Sequence, residues 1–309
     1  MKFELTILGS SSALPTSKRF PTAQVLNVLE RFFLIDCGEG AQIQLRRLKI
    51  PYHRINHIFI SHLHGDHIFG LMGFISTLSL QGRTCDLHIY AHRKLEQLIN
   101  FQLELLETHL SYSLVFHPIF GKDPQILYED KVITVTSFAL RHGAVPCAGF
   151  LFREKQRPRN LKKEMVQFYN IPIREMASIK DGSDFVTPDG DVVANGVLTK
   201  DPPKARSYAF CTDTAYTEKI IPIIQGVDLL YHEATFVNSE NQRAKKTYHS
   251  TAHQAALMAQ KAQVGQLLIG HFSARHKCAD EHIKEACEVF DNVKAAEDGA
   301  VFSIDLNPS

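Results

Sequence analysis

Three histidines and one aspartate lie within the six residues His62-Leu63-His64-Gly65-Asp66-His67. Neutral imidazoles and a carboxylate suit zinc or a similar divalent ion. Residues 55–60 form an apolar, β-branched run typical of a buried strand, and residues 68–72 indicate the start of a helix. A strand-to-helix turn can direct several short side chains at one point. We therefore predict a metal site here, with a solvated histidine-rich loop as the alternative.

The neighbours Asp66 and His67 are expected to point away from His62 and His64, which suggests two adjacent ions that need further ligands. Three later segments each place a polar side chain directly after a strand-like run. A histidine at a strand end is more often a surface or hydrogen-bonded residue, so the recurrence at equivalent positions carries the argument. The three runs are residues 134–140 before His142, 207–211 before Asp213 and 266–269 before His271.

Further motifs follow in a specific order and spacing along nearly the whole chain: residues 8–16 with Arg19, residues 34–42, His232-Glu233-Ala234-Thr235, and residues 248–252 with His249. With these motifs the chain resembles the metallo-β-lactamase superfamily and, within it, the ribonuclease Z family of tRNA 3′-end endonucleases. The superfamily motif is shared by β-lactamases, glyoxalases, lactonases and phosphodiesterases. It therefore indicates the fold and the metal, whereas the other motifs indicate the substrate.

The resemblance implies two Zn²⁺ per subunit, although Mn²⁺ or Fe²⁺ suit the same ligands. Two such ions about 3.5–4 Å apart can clamp an in-line displacement at phosphorus. Two dications, two carboxylates and one hydroxide retain a positive charge, which favours a phosphodiester substrate. The expected ligands are His62, His64 and His142 on one ion, Asp66, His67 and His271 on the other, and Asp213 as the bridge.

Proton transfer is assigned to three residues. Asp66 is the expected general base, because it would ligate a metal beside the attacking water. His249 is the expected acid for the leaving 3′ oxygen, held by the carboxylate of Glu233. The alternative for His249 and Glu233 is that they only stabilise the loop.

The 309 residues suit a single domain of residues 1–309 that carries an insertion. Hydrophobic residues make up 44% of the chain, enough for a sizeable core, which excludes a disordered binder. A net charge of +1 gives no global signature of nucleic-acid binding, so RNA affinity would come from local basic patches.

Six scattered cysteines without Cys-x-x-Cys pairs are expected to be reduced and mostly buried. No apolar run approaches ~18 residues, and the N-terminus leads directly into a predicted strand. These features predict a soluble, cytoplasmic protein with no membrane contact.

Strand patterns occur at residues 3–8, 24–29, 31–35, 55–60 and 301–304, and a helix is predicted at residues 93–106. A second helix has its apolar residues at 283, 286, 287 and 290, with Asp280 as the expected N-cap. Strands followed by helices, repeated in two halves, predict an αββα sandwich of two mixed sheets with outer helices.

A basic segment at about residues 153–204 interrupts this pattern between His142 and Asp213. The resemblance implies that it is an arm that grips tRNA, because lysine and arginine clusters supply phosphate affinity. The ordinary alternative is a solvated helix and hairpin. Residues 171–176 depart from the glycine- and proline-rich motif of the family's arm. The resemblance also implies a homodimer and contacts of Thr16 and Arg19 with the RNA 3′ end. It further implies a phosphate contact of Arg275, with a solvated surface turn as the alternative.

The leading hypothesis is a zinc-dependent endoribonuclease that removes the 3′ trailer from precursor tRNA. Such an enzyme cuts after the discriminator base and leaves a 3′-hydroxyl on the tRNA. One alternative is a metal-dependent phosphodiesterase that acts on small diesters or other RNA. A second is an RNA-binding protein with a structural metal, although a structural zinc normally has a closed ligand shell.

Overall fold

The computed structural model describes residues 2–120 and 123–306. The chain divides into two compact units, one of residues 2–153 and 207–304 and one built on residues 154–206. None of the helices in the described ranges is long and apolar enough to cross a membrane.

The first sheet of the larger unit has the strand order β18-β1-β2-β3-β4-β5-β6. Strands β18 to β3 pair antiparallel, whereas β3 to β6 run parallel. β2 is buried along its whole length, which explains why its sequence does not alternate between polar and apolar residues. The bounds are β1 (Phe3–Gly9), β2 (Ala23–Val28), β3 (Arg31–Cys37), β4 (Ile55–Phe59), β5 (Leu87–Ala91), β6 (Leu114–Pro118) and β18 (Val301–Ser303).

The second sheet has the order β17-β16-β15-β14-β9-β8-β7. Strands β14 to β17 pair in parallel, and β14 pairs antiparallel with β9. The parallel strands of both sheets deliver their carboxyl ends to one edge. The bounds are β7 (Gln125–Glu129), β8 (Ile133–His142), β9 (Val145–Glu154), β14 (Ser207–Cys211), β15 (Leu229–Glu233), β16 (Gln266–Gly270) and β17 (Val293–Ala295).

Aromatic side chains fill the space between the sheets, where Phe59 packs edge-on against Phe150 and Phe152. Two further apolar clusters cover the outer faces beneath the helices. Helix α10 is fixed at its start by a capping box between Thr251 and Gln254. The helices of this unit are α1 (Ala41–Arg47), α2 (Gly65–Ile68), α3 (Leu71–Leu80), α4 (Lys94–Leu105), α8 (Ile221–Ile224), α9 (Asn241–Thr247), α10 (Ala252–Lys261) and α11 (Asp280–Cys287).

The smaller unit has its own apolar core of Ile171, Ile179, Phe185, Val193 and Leu198. It contains two short strand pairs, β10 (Asn160–Leu161) with β13 (Thr199–Lys200) and β11 (Phe185–Val186) with β12 (Val192–Val193). Its helices are α5 (Lys163–Phe168), α6 (Ile173–Lys180) and α7 (Asn195–Leu198).

A bidentate ion pair joins the two ends of this smaller unit. Arg206 donates from Nε and Nη2 to the Glu154 carboxylate at 2.9 and 2.7 Å, and both side chains are almost fully buried. Removal of one partner would take this ion pair away from a charge that stays buried, which is strongly destabilising.

The larger unit is the predicted αββα sandwich of two mixed sheets, so the fold class is confirmed. Two local predictions were wrong, those on the bounds of α11 and on the burial of the cysteines, whereas the helix start predicted at residues 68–72 is confirmed at Leu71. Asp280 is the first residue of α11 and Phe290 lies beyond its end. The helix after the histidine cluster is interrupted, with α2 ending at Ile68 and α3 beginning at Leu71. The cysteines are not mostly buried, because Cys85, Cys278 and Cys287 are exposed.

His282 is a completely buried histidine in α11 that contacts the Phe272 and His276 rings. Burial lowers the pKa of His282 from 6.5 to about 4, because the charged imidazolium loses its hydration.

We expect His282 to make the protein sensitive to acid. The unfolded chain binds a proton at this residue below pH 6.5, whereas the folded protein does so only near pH 4. The free energy of unfolding should therefore fall by up to about 3 kcal/mol as pH drops from 7 to 4. In urea titrations, the free energy of unfolding of the His282→Leu variant should fall less between pH 7 and 4 than that of the wild type. The variant His109→Leu, which replaces an exposed histidine, should lose as much as the wild type.

Candidate metal centre

The predicted ligands lie where strands of both sheets end. His62 and His64 follow β4 directly, and Asp66 and His67 belong to the short helix α2. His142 is the last residue of β8. The remaining two, Asp213 after β14 and His271 after β16, come from parallel strands that end at the same edge. All seven predicted ligands therefore converge on one place in the larger unit.

Left-handed backbone at two of these strand ends turns the side chains inward. Asp213 and His271 have φ values of 53° and 60°, and Asp36 near the end of β3 has 54°. Residues other than glycine rarely adopt this left-handed region, because the backbone strain costs about 1 to 3 kcal/mol at each residue. Such positions persist where the surrounding structure over-determines them, and they cluster at functional sites.

The first group of ligand atoms comes from His62, His64, His142 and Asp213, all within 4.8 Å of one another. His62 Nε2 lies 2.9 Å from His64 Nδ1, and His142 Nε2 lies 3.3 Å from the same nitrogen. Asp213 Oδ2 completes the group, 3.4 Å from His62 Nε2.

The second group comes from Asp66, His67 and His271. Asp66 Oδ2 lies 3.3 Å from His67 Nε2 and 3.4 Å from His271 Nε2. Asp213 Oδ1 lies 3.1 Å from His271 Nε2 and 3.4 Å from His67 Nε2. Asp213 therefore presents one oxygen to each group, as the bridging position requires.

His62, His142 and Asp213 are held in the protonation states that metal ligands need. Burial lowers the pKa of His62 to about 2 and also lowers the pKa of His142, which keeps these imidazoles neutral. Burial alone would raise the pKa of Asp213, but the imidazoles of His271 and His67 hold it well below its usual range. Neutral imidazoles and ionised carboxylates are the forms that bind a divalent cation.

The donor set fits a divalent metal ion. Burial opposes a charge on His67, yet the carboxylates of Asp213, Asp36 and Asp66 attract positive charge and raise the pKa of that imidazole well above its ordinary value. A divalent cation bound at this nitrogen would displace the proton. Nε2 of His67 and Nε2 of His271 are buried, and neither makes a hydrogen bond with any described residue. Convergent nitrogen and oxygen donors without a thiolate suit Zn²⁺, Mn²⁺ or Fe²⁺.

Asp36 orients the His67 ring by binding Nδ1, the nitrogen opposite the proposed ligand atom Nε2. Its Oδ2 accepts a hydrogen bond from His67 Nδ1 at 2.7 Å and another from the Ser61 hydroxyl at 2.9 Å. Its Oδ1 accepts from the Ser61 backbone N–H at 2.7 Å. The sequence reasoning quoted Asp36 within a family motif but gave it no role. A buried carboxylate after a strand, beside a metal motif, was the available signal.

We expect Asp36→Asn to weaken metal binding by roughly 10- to 100-fold, because the His67 ring would lose its orienting charge. Titration with a competing chelator measures this change. Asp228→Asn is a matched control, since Asp228 also accepts from a serine N–H and hydroxyl, at the start of β15. Unchanged metal affinity in Asp36→Asn would contradict an orienting role for this carboxylate.

Glu233 and His249 form the predicted pair next to the second group. His249 Nδ1 lies 2.8 Å from Glu233 Oε1, and Glu233 is completely buried. Burial disfavours the His249 imidazolium, but the Glu233 carboxylate raises the pKa of His249 to about 9. The ring of His249 stacks against that of His271 with centroids 5.4 Å apart, so the pair borders the ligand cluster.

Thr235 is a second contributor that the sequence reasoning missed. Its hydroxyl donates to Glu233 Oε2 at 2.8 Å and lies 2.9 Å from His271 Nδ1. It therefore links the Glu233–His249 pair to a ligand of the second group.

The residues predicted to contact RNA lie in two adjoining loops. Phe272 N–H donates to Ser10 O, and Arg19 Nη1 donates to His276 O at 3.2 Å, which joins the N-terminal loop to the loop after β16. The Thr16 hydroxyl accepts a hydrogen bond from the Arg19 backbone N–H, and the Arg275 side chain is exposed. Arg19 is thus already engaged within the protein.

Comparison with known proteins gives full-length relatives. The chain is 50% identical to a ribonuclease Z of Bacteroides thetaiotaomicron over 98% of this chain and 96% of the relative. It is 49% identical to a ribonuclease Z of Phocaeicola vulgatus, over 98% of each chain. A family profile described as "Anti-Pycsar protein Apyc1" matches residues 3–121.

Solved structures of other proteins show the same fold. Human tRNase Z, short form, superposes with a TM-score of 0.71 and 27% identity, covering 99% of this chain and all of that one. The metallo-β-lactamase fold protein YhfI from Bacillus subtilis superposes with a TM-score of 0.69 over 98% of this chain and all of that one. Its 20% identity shows a shared fold alone.

Proposed function

The chain belongs to the ribonuclease Z family, and we propose that it is a zinc-dependent endoribonuclease that removes the 3′ trailer from precursor tRNA. It cuts after the discriminator base and leaves a 3′-hydroxyl on the tRNA. The observation that carries this proposal is the placement of Asp213 between two groups of histidines, with the Glu233–His249 pair beside them.

Two divalent ions, held by His62, His64 and His142, by Asp66, His67 and His271, and by Asp213 between them, would offset the charge of the phosphodiester and acidify the attacking water. Asp66 accepts the proton of that water, as its position between two histidines allows. The Ala13 N–H donates to Asp66 Oδ2 at 2.7 Å, which fixes the direction of the carboxylate.

His249 donates the proton that the leaving 3′ oxygen needs. Glu233 binds Nδ1 of this ring, so Nε2 is the atom that faces the substrate. Glu233 is itself held by the backbone N–H groups of Thr214 and Thr235 at 2.9 and 3.0 Å. A buried, fully hydrogen-bonded carboxylate fixes the tautomer and the angle of the imidazole.

The smaller unit is proposed as the arm that contacts the tRNA body. Several of its basic side chains have internal partners: Arg157 donates to Glu154, Arg159 to Asp201, and Lys162 to the backbone of α7. Lys163 is exposed and makes no ion pair or hydrogen bond with described residues. We further propose that the protein is a homodimer, which sedimentation of the purified protein would test, and that it acts in the cytoplasm.

A precursor tRNA labelled at its 5′ end and bearing a 3′ trailer tests this function, beside bis(p-nitrophenyl) phosphate as a small diester. A single cut after the discriminator base, lost on chelation and restored by zinc, is the expected result. Hydrolysis of the small diester with the precursor left whole would contradict the proposal. The centre would then work on a different substrate.

A further inference from the structure

A cavity of about 500 Å³ lies next to the metal centre in the larger unit. Ser61 and Gly143, which line it, are the sequence neighbours of the ligands His62 and His142. The rest of its wall comes from the ends of β5 and β6 and from the β8–β9 hairpin. Its volume is in the range of small-molecule binding sites. The mechanism proposed above uses none of the other residues that line it.

The walls suit a flat apolar group. Phe138, Leu140 and Val145 line one side, and Ile119 and Phe120 line another. Phe120 is a large aromatic residue that remains 59% exposed. An exposed aromatic ring beside a centre that cleaves RNA offers a stacking surface, which accepts any base.

The side chain of Arg93 places a positive charge at the same cavity. Arg93 follows β5, is exposed, and makes no hydrogen bond or ion pair through its guanidinium with the described residues. A free guanidinium binds a phosphate through two parallel hydrogen bonds. The acidic member of the wall is Asp123. The cavity thus combines an aromatic face with an exposed guanidinium, and these two features recognise a nucleotide.

We propose that this cavity receives the first nucleotide of the trailer, with its base on Phe120 and a backbone phosphate on Arg93. The inference rests on the proposed function, because the ligand lies directly 3′ of the bond that is cut. A discriminator base stacked on the acceptor stem belongs to a duplex too wide for such a cavity. An unstacked nucleotide of the single-stranded trailer fits it, and unpaired RNA is commonly bound in this way.

Coupling between a protein change and a substrate change tests the contact. An abasic residue at the first trailer position should lower kcat/KM of the wild type roughly 10-fold, and Phe120→Ala should do the same on the intact substrate. Together the two changes should cost little more than either alone, because they remove one interaction. Phe101→Ala is the matched control, an exposed phenylalanine on α4 that should cleave both substrates as wild type does.

Binding provides a second readout that does not depend on turnover. The chain has no tryptophan, so Phe120→Trp introduces a single fluorophore at the cavity. A trailer oligonucleotide with an intact first base should quench it, and the abasic oligonucleotide should not. Adding Ala139→Phe, which fills the cavity from β8, should abolish the quenching while the metal content stays unchanged.

Two results would overturn the inference while leaving the proposed function standing. The first is a Phe120→Ala effect that is absent or equal on intact and abasic substrates. The second is coupling to an abasic residue at the discriminator position instead. Failure of the wild type to cut any precursor tRNA would instead refute the proposed function.

Discussion

Replacing Asp213 by asparagine should reduce cleavage of precursor tRNA by roughly 10³-fold or more, because both metal groups lose their shared carboxylate. Oδ1 and Oδ2 of Asp213 face different histidines, at 3.1 Å from His271 and 3.4 Å from His62. An amide offers one oxygen and no charge, so at least one ion should be lost. Metal analysis of the purified variant should therefore show fewer than two ions per chain.

Asp228→Asn controls for the loss of a carboxylate in the same sheet. Asp228 precedes β15 and binds Ser207 at the opposite end of that strand from Glu233. The Asp228→Asn variant should retain both its metal and its activity. An Asp213→Asn protein that kept both ions and normal cleavage would refute the bridging assignment.

Replacing His249 by glutamine should lower the rate of RNA cleavage by roughly 10²- to 10⁴-fold while the metal content stays intact. Glutamine keeps a polar group near Glu233 but cannot donate a proton to the leaving oxygen. The nature of the leaving group separates this role from a structural one. p-Nitrophenolate departs without protonation, so hydrolysis of bis(p-nitrophenyl) phosphate should change little in the same variant.

His276→Gln is the matched control, because His276 also pairs with a carboxylate, Glu240, at 2.8 Å. It should hydrolyse the small diester at the wild-type rate and retain its metal. Loss of zinc in His249→Gln, or an equal loss on both substrates, would mean that the histidine stabilises the loop and supplies no proton.

The ligand positions could be predicted because their signal is local. Asp213 and His271 each follow a strand-like run, and parallel strands bring their carboxyl ends to one edge whatever the loops between them contain. His142 ends a strand-like run of its own, in β8. The pairing of Glu233 with His249 came from family motifs, and the 2.8 Å contact agrees with it.

What could not be predicted depends on contacts between distant segments. Asp36 lies 31 residues before His67 and reaches it only because β3 and β4 are neighbours in the first sheet. Thr235 meets His271 because β15 pairs with β16. The left-handed backbone at Asp213 and His271 was also unforeseen, since no glycine or asparagine marks these positions.

The errors have a similar origin. Asp280 is a favourable N-cap residue, yet it became the first residue of α11 because tertiary packing set where the helix begins. The Arg19 guanidinium likewise donates to His276 O and lies over the Phe272 ring, a contact between two segments that are far apart in sequence. Neither arrangement can be predicted from the local sequence.

The central claim is that seven residues from the ends of several strands hold two divalent ions. Anomalous diffraction at the zinc absorption edge, from crystals of the zinc-loaded protein, tests it most directly. We expect two peaks, one among His62, His64 and His142 and the other among Asp66, His67 and His271, with an Asp213 oxygen at each. A single peak, or zinc bound away from these residues, would contradict it.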